Sequence, residues 1–492
     1  MKPSILFITT DEQHIETISA FGAKTHSTPN IDSLINQSNV YIQAYSASPE
    51  CLPARCSWMT GLYPHHNNCI SNTFGASLPR ERPNLMTELK KQGYKTSLHG
   101  KAHFIPVPYA ATRQDLTLEY EHFIAYYESL GIDTLNLQDG KNCSTWFYDH
   151  YAKEMEVLGV LKDYRVESKI NKAKHQGVFD FPGDSKYHPD AWVGRKTAEY
   201  IASCGESPEF IWASFSGPHY PIDTPAEYIK KVDMSLDSGR IFQDGEWDDP
   251  TKLHVNSYHG PGATEGSACV ESGAQKNYTE EYWTRWRQVY FGNVVLIDEM
   301  IGEIISAARA KWGENLLIVF TADHGDLMGN HSLWGKNGSL HEDVLRVPLT
   351  VCSPGQTQRQ DFPQMVSSLD IFPTILEAAD APVPPCDAMT LESQCRAGGR
   401  PYVLSMCDGR VAIVKDGIKL EHNLYTRNET MYKELYDLTA DPHEFVNQYS
   451  NPQYAKHIQE LENMLEQEEG LLHKIFFNGD VDPYWLNKGG NY

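Results

Sequence analysis

At 492 residues, with 40% hydrophobic and 11% aromatic side chains, the chain is long enough for a large buried core and reads as one big domain with a smaller one attached. Its 42 lysines and arginines against 65 aspartates and glutamates leave a formal charge of −23, which excludes nucleic acid as an expected partner. No stretch approaches the roughly 18 apolar residues of a membrane span, and the short apolar run after Met1 lacks a secretory cleavage site, so no membrane partner and a cytoplasmic location are expected. The ten cysteines are scattered and not framework-spaced, as suits reduced thiols.

In chain order, residues 4–9 are a short β-rich apolar run ending in Thr10-Asp11-Glu12, the pattern of a buried parallel strand that delivers acids at its C-terminal end. Thr28-Pro29 starts a helix, residues 84–92 form another closed by Gly93, and residues 94–98 are the next strand, ending at His99-Gly100-Lys101. Residues 104–190 are aromatic, charged and interrupted by Gly and Pro, and read as loops and short helices laid over the sheet. A helix over 191–203 leads to a strand over 210–216 and to Gly217-Pro-His219-Tyr-Pro221. A second irregular stretch covers 231–276, and residues 279–311 carry one long helical pattern. Leu316–Thr321 is the clearest strand and ends in Ala322-Asp323-His324-Gly-Asp326; another strand spans 346–351 and a helix 368–379. Beyond Pro382-Val-Pro-Pro385 come short antiparallel strands at 402–406, 411–414 and 418–424, then a helix over roughly 452–473. This order predicts an α/β fold: a large, mostly parallel sheet flanked by helices over 1–380, with a smaller C-terminal α+β subdomain over 381–492.

The residues able to do chemistry gather at those strand ends: Asp11-Glu12, Cys51 to Arg55, Lys101 and His103, and Asp323-His324, with His219 and Lys336 beside them. Acids at the ends of two separate strands suit a hard divalent cation, whose oxygen ligands must converge from distant parts of a chain. Asp11, Glu12 and Asp323 offer oxygens and His324 an imidazole, a set that favours Ca²⁺ and admits Mn²⁺. Cys51 is open to three readings. It is a buried structural thiol, or a zinc ligand with Cys56, His65 or His66 and Cys69, or a thiolate nucleophile whose pKa Arg55 lowers. The zinc reading is weakened by spacing unlike the usual paired pattern and by Pro53. Taken singly, Lys101 reads as a solvated charge and His219 as a packed loop residue.

Cys51-Leu-Pro53-Ala-Arg55, running into Thr60-Gly61, resembles the sulfatase signature. The likeness continues in family order through Thr10-Asp11, Thr28-Pro-Asn-Ile-Asp32, Gly61-Leu-Tyr-Pro64, Gly100-Lys101-Ala-His103, Gly217-Pro-His219, Thr321-Ala-Asp323-His324-Gly325, Gly335-Lys336 and Arg346-Val-Pro348. Glu434-Leu-Tyr-Asp-Leu438 with Asp441-Pro442 extends it into the C-terminal unit, and it is weakest in 104–190 and 231–276. The resemblance implies an alkaline-phosphatase-like fold and hydrolysis of sulfate esters. It implies that a formylglycine-generating enzyme converts Cys51 to formylglycine, whose hydrate bridges substrate and a divalent metal held by Asp11, Glu12, Asp323 and His324. Arg55 then holds the aldehyde hydrate, Lys101, His219 and Lys336 grip sulfate oxygens, and His103 helps expel sulfate from the covalent intermediate. Those roles agree with the need for cations where charge develops and for a proton carrier near neutral pH.

Three positions depart from the pattern. Glu12 stands where many members have aspartate, glutamine or asparagine, Ala102 where tryptophan is frequent, and His324 where asparagine is frequent. Such features recur in choline-sulfatase-like enzymes and phosphonate monoester hydrolases, so a phosphonate or phosphate ester is the alternative substrate and a non-catalytic binding relative the third reading. The expected partner is a small-molecule or carbohydrate sulfate ester, and the resemblance leaves room for a homo-oligomer. The leaving group is set by loops in 104–190 and 231–276, where Trp146, Tyr148, Trp247 and Tyr258 either stack a sugar, cage a cation or pack in the core.

Overall fold

The computed structural model describes residues 2–72, 77–105, 120–141, 148–174, 177–253, 278–336, 339–407, 409–425, 430–468 and 470–472. Eight strands build the large sheet: β1 (Ser4–Asp11), β2 (Asn39–Tyr45), β3 (Lys95–Gly100), β4 (Thr134–Leu137), β6 (Glu209–Pro218), β8 (Leu316–Ala322), β9 (Leu349–Cys352) and β10 (Gln360–Ser367). Between them in the chain, β5 (Val178–Asp180) and β7 (Ile222–Thr224) pair with each other in a small ribbon. The order across the large sheet is β10-β2-β9-β8-β1-β6-β3-β4. All pairings are parallel except those of β9, which runs antiparallel to β2 and β8.

β1 lies at the centre and is buried along its whole length, which is why its sequence is continuously apolar. The pleat still separates its side chains by face. Ile5 and Phe7 join the core that contains Trp58, Trp212 and Val319, while Leu6 and Ile8 join the one under the helices Pro189–Ser203 and Glu280–Trp312. Each fully buried Leu, Ile or Phe here is worth roughly 1.5–3 kcal/mol. The 33-residue helix Glu280–Trp312 opens on Thr279, whose side chain accepts the Tyr282 N–H, and ends at Gly313. At about 1.5 Å per residue it runs about 50 Å, and it sets the Tyr290 hydroxyl on the Glu12 carbonyl next to Asp11 and Asn293 on Asp190. Among the described residues no helix is long and apolar enough to cross a membrane.

The C-terminal unit is an antiparallel sheet of β11 (Val403–Cys407), β12 (Arg410–Lys415), β13 (Ile418–Tyr425) and β14 (Thr430–Asp437), in that order. Leu404, Met406, Ile413 and Leu435 pack on the helix Ala455–Gln467 through Leu461 and Leu465, and also on Tyr63 and Leu369 from the large domain. The opposite face, through Val403, Ala412 and Val414, covers Tyr45, Leu340 and Leu345.

The expected α/β architecture is present, with local differences. The strand expected over 346–351 begins only at Leu349, because Pro348 has no N–H for the ladder; Arg346 makes a single bridge to Tyr45. β2, β4 and β10 are not among the expected strands, although the Val, Tyr and Ile of β2 are typical strand residues. β10 is an edge strand with exposed polar residues, and its register shifts between Phe362 and Met365, around Pro363. Residues 104–190, expected as loops and short helices, also contain the edge strand β4 and the 14-residue helix Leu161–Lys174.

Candidate active site and metal centre

The signature segment is a helix, Cys51–Thr60, buried along its whole length. Pro53 is harmless there because first-turn N–H groups lack intrahelical partners anyway, and the Leu52 N–H finds one in Asn72 Oδ1 at 2.9 Å. Gly61 closes the helix in the left-handed conformation at φ 66°. Cys51 and Arg55 are therefore one turn apart on one face, and Cys51 sits at the positive end of the helix, where an anion is favoured.

Strand register supplies the rest. Thr10 lies opposite Ala322, so Asp11 and Asp323 leave the sheet side by side. Gly100 lies opposite Ser214, and a Cβ at Gly100 would meet the Ser214 carbonyl oxygen at 1.8 Å, so only glycine lets Lys101 turn inward at this point. One donor atom from each of Asp11, Cys51, Asp323 and His324 lies within 4.8 Å of the others. Cys51 Sγ is 3.4 Å from Asp11 Oδ1 and 3.3 Å from His324 Nε2, and His324 Nε2 is 3.6 Å from Asp323 Oδ1.

The chemistry of this donor set fits a divalent cation. His324 Nδ1 is 2.9 Å from the Gly325 carbonyl and must donate to it, which leaves the Nε2 lone pair facing the two carboxylates. Two carboxylate oxygens suit a hard divalent ion and the imidazole nitrogen is a ligand several divalent metals accept, whereas the thiol at position 51 is a soft donor.

Electrostatics point the same way. Burial pushes Asp323 up, Asp11 beside it adds to this, and His324 and Arg55 recover only part. For Asp11, burial again raises the pKa, but Lys101, His219 and Arg55 outweigh it and hold the carboxyl at about 2. Burial disfavours a charged His324, yet Asp323 and Cys51 overcome it and raise the imidazole to about 9. The anions that favour a proton on Nε2 also favour a metal ion there. Burial opposes the Cys51 thiolate, but Lys101, Lys336 and His324 hold the thiol well below its ordinary value, so this atom position favours negative charge.

Around the cluster stand the expected cations. Lys101 Nζ donates to Asp11 Oδ2. Arg55 Nε donates to Asp323 Oδ2 at 2.8 Å, one terminal nitrogen donates to the Lys101 carbonyl and Ser214 Oγ, and the other is buried without a hydrogen-bond partner. His103 approaches Cys51 closely enough to favour the thiolate, though neither ring nitrogen meets hydrogen-bond geometry. Glu12, expected among the metal ligands, is placed differently. Its carboxylate lies outside the four-donor group, 3.1 Å from Lys336 Nζ and 3.2 Å from His219 Nε2. Glu12 and His103 both have left-handed backbones, at φ 61° and φ 50°. Surrounding bonds hold them there: Glu12 N–H to Asp323, Tyr290 hydroxyl to the Glu12 carbonyl, and the Ala102 and His103 N–H groups to Asp139.

Three residues that hold the site carry no sequence signal of their own. Asp139 reads as a turn residue before Gly140, Ser214 as one polar position in an apolar strand, and Ser46 as loop; Ser46 Oγ donates to the Asp323 carbonyl at 2.5 Å. The zinc arrangement is not assembled: His65 turns to Met406 and His66 pairs with Asp387 at 2.7 Å. Of the four aromatic candidates, Trp146 and Tyr258 lie outside the described residues. Trp247 packs against Leu327 and Val344 and donates to the His331 carbonyl, and Tyr148 packs in the core beneath Arg165, so both serve packing.

A buried thiol at a helix N-terminus, a metal-fitting cluster and a ring of cations together make a site that favours negative charge. A family model described as Sulfatase matches residues 3–381. The chain is 24% identical over 489 residues to the arylsulfatase of Clostridium perfringens, covering 95% of this chain and 94% of that one. It is 25% identical over 469 residues to the choline-sulfatase of Rhizobium meliloti, covering 92% and 83%. Among solved structures, the phosphonate monoester hydrolase of Agrobacterium radiobacter superposes with a TM-score of 0.75 at 20% identity, covering 94% of this chain and 95% of that one. The chain belongs to the sulfatase family, and it is an enzyme of the sulfuric ester hydrolase class.

Proposed function

We propose that this sulfatase hydrolyses monoanionic sulfate esters of small molecules or carbohydrates, with Cys51 matured to formylglycine and Asp11, Asp323 and His324 holding one divalent ion, Ca²⁺ in the first instance and Mn²⁺ as the alternative. The observation that carries this reading is the convergence of four donor atoms within 4.8 Å at a helix N-terminus. Bound there, the ion supplies Lewis acidity, which stabilises charge on the transferred group and lowers the pKa of an attacking oxygen. Cys51 is where that oxygen is carried after maturation. Arg55, fixed by Asp323 and Ser214, keeps one nitrogen for it. Lys101, Lys336 and His219 offer positive charge to the ester's oxygens. Burial and Lys101 favour a neutral His103, which is thereby ready to accept a proton at neutral pH.

Charge counting supports the substrate class. The buried cations Arg55, Lys101 and Lys336 each face an acid, Asp323, Asp11 and Glu12. The three acids balance the three cations, so a bound divalent ion would leave two positive charges; the ionised attacking oxygen carried at position 51 would offset one, and the remainder suits a monoanion better than a doubly charged phosphate monoester. A phosphonate monoester is also a monoanion, so the fold neighbour from Agrobacterium radiobacter keeps that second reading in view. Peptide mass spectrometry of the 50–60 segment, paired with turnover of an aryl sulfate and an aryl phosphonate, tests both. The expected result is replacement of the Cys51 thiol by an aldehyde and faster turnover of the sulfate. An active protein with an unmodified thiol defeats the formylglycine mechanism, and preference for the phosphonate moves the substrate class.

A further inference from the structure

We propose that a buried hydrogen-bond chain through Asp190, Asn293, Lys141 and Asp223 is the positioning device for His219. This rests on the reading of His219 as a group that meets the oxygens of the transferred group. His219 is carried by a short loop between β6 and β7, and that loop is gripped on both sides by one network. On the N-terminal side, Asp190 Oδ1 accepts the Ser216 N–H at 3.1 Å and the Gly217 N–H at 2.9 Å, three and two residues before His219. On the C-terminal side, Asp223 donates its own N–H to the Pro221 carbonyl at 3.0 Å.

The two anchors are joined through the core. Asn293 Nδ2 donates to Asp190 Oδ2 at 3.0 Å, Lys141 Nζ donates to Asn293 Oδ1 at 3.0 Å, and the same Nζ donates to Asp223 Oδ1 at 2.9 Å. Tyr164 closes the far end on Asp223 Oδ2 at 2.8 Å. His188 forms a second link, accepting the Asp190 N–H at Nδ1 and donating from Nε2 to the Asp223 carbonyl. Asp190, Asn293, Lys141 and Asp223 come from four separate segments and are at most 1% exposed.

Stability alone does not account for such a chain, since a buried ion pair is often no better than well-packed apolar residues of the same volume. What polar atoms supply here is a fixed address for the loop backbone. Gly217 shows how close the fit is: a Cβ there would lie 2.3 Å from Asp190 Oδ2 and 2.5 Å from Asn293 Oδ1. With the loop held, the His219 Nδ1, 2.6 Å from the Tyr220 carbonyl, donates to it, and Nε2 is turned toward Glu12 and the site. Asp190, Asn293, Lys141 and Asp223 touch no reacting atom; they act through His219.

A double-mutant cycle tests this, with kcat/KM on an aryl sulfate and the inhibition constant of inorganic sulfate as readouts. Asp190→Asn is expected to lower kcat/KM by about 10- to 100-fold and to weaken sulfate inhibition, because small misplacements of a positioned group cost that much. In a His219→Ala background the same substitution is expected to change both readouts by less than about twofold, since coupled residues are non-additive. If Asp190→Asn does not fold, Asn293→Ala carries the same cycle, because it leaves the backbone bonds of Asp190 in place. Equal losses in both backgrounds overturn the coupling alone. A His219→Ala enzyme as active as the parent overturns the reading of the site, and the proposal with it.

Discussion

At the C-terminal edge of β1 and β8, Asp11, Asp323, Cys51 and His324 turn their donor atoms on one another, whereas between the two sheets Glu421 and Glu444 turn theirs on Lys419. Both clusters are buried, and both are built of acids with lysines close by. In the second, the lysine is the centre: Nζ faces Glu421 Oε1 at 3.0 Å, pairs with Glu444 and donates to the Leu340 carbonyl, so its three protons are spent. Burial opposes the charge on Lys419, but Glu444, Glu421 and Glu342 outweigh it and keep the ammonium charged. In the first, Lys101 and Arg55 stand outside the ring of donors and leave its middle to negative charge. A protein cation at the centre makes a clasp between domains, and acids without one make a ligand site.

Exchanging the roles by mutation should separate the two kinds of cluster. Cys51→Ala removes the proposed nucleophile position and, in any molecules left unmatured, the thiolate's repulsion on Asp11 and Asp323. Turnover of an aryl sulfate is expected to fall by at least about 10³-fold, as for removal of other covalent nucleophiles, with the melting temperature unchanged or higher. Lys419→Met should do the reverse. Stranding buried carboxylates costs about 3–5 kcal/mol in chemical denaturation, while kcat per folded molecule stays within about twofold. A stable Lys419→Met protein, or an inactive one that is fully folded, would erase the distinction drawn between the clusters.

Metal addition gives a smaller effect and sharpens the same contrast. After dialysis against a chelator, Ca²⁺ or Mn²⁺ at about 100 times its dissociation constant should stabilise the parent and Lys419→Met alike by about 2.7 kcal/mol. Asp323→Asn should lose that gain, and an equal gain in Asp323→Asn would place the ion elsewhere.

The two clusters were not equally visible in the chain. Acids directly after apolar strands, Asp11 after residues 4–9 and Asp323 after Leu316–Thr321, announce their cluster because a parallel strand must end at the edge of its sheet. Cys51 and Arg55 are legible as a spacing, and the helix shows why the spacing is four. The pairing of Glu12 with Lys336 and His219 was not legible, because it depends on a left-handed backbone at φ 61° that no local pattern requires. Lys419, Glu421 and Glu444 look like ordinary alternation in and after an antiparallel strand, and only docking of the small sheet on residues 340–345 buries them. Asp190, at the end of the irregular stretch 104–190, and Asn293, inside the long helical pattern, carry no signal for the same reason: what they hold lies 26 and 103 residues away.

pH offers the finest way to tell the clusters apart. Burial, with Glu421 beside it, pushes Glu434 up to about 7, although it accepts the Leu253 N–H and the Tyr436 hydroxyl. Its folded pKa stands above the ordinary 4.5, so the folded state holds this proton more tightly. Its contribution to stability is complete below about pH 4.5 and is lost as pH rises through about 7. Asp11 has the opposite sign: its pKa falls from 3.8 to about 2, so its contribution is present above pH 3.8 and lost as pH falls through 2. Between pH 4.5 and 7 the Asp11 contribution is constant and the Glu434 contribution is not. Urea unfolding across that window should therefore show the stability of the parent relative to Glu434→Gln declining with pH, by at most about 1.4 kcal/mol per pH unit, the slope of one proton. A difference that does not move with pH would mean that Glu434 is ionised throughout, and that it adds a further buried negative charge beside Glu421.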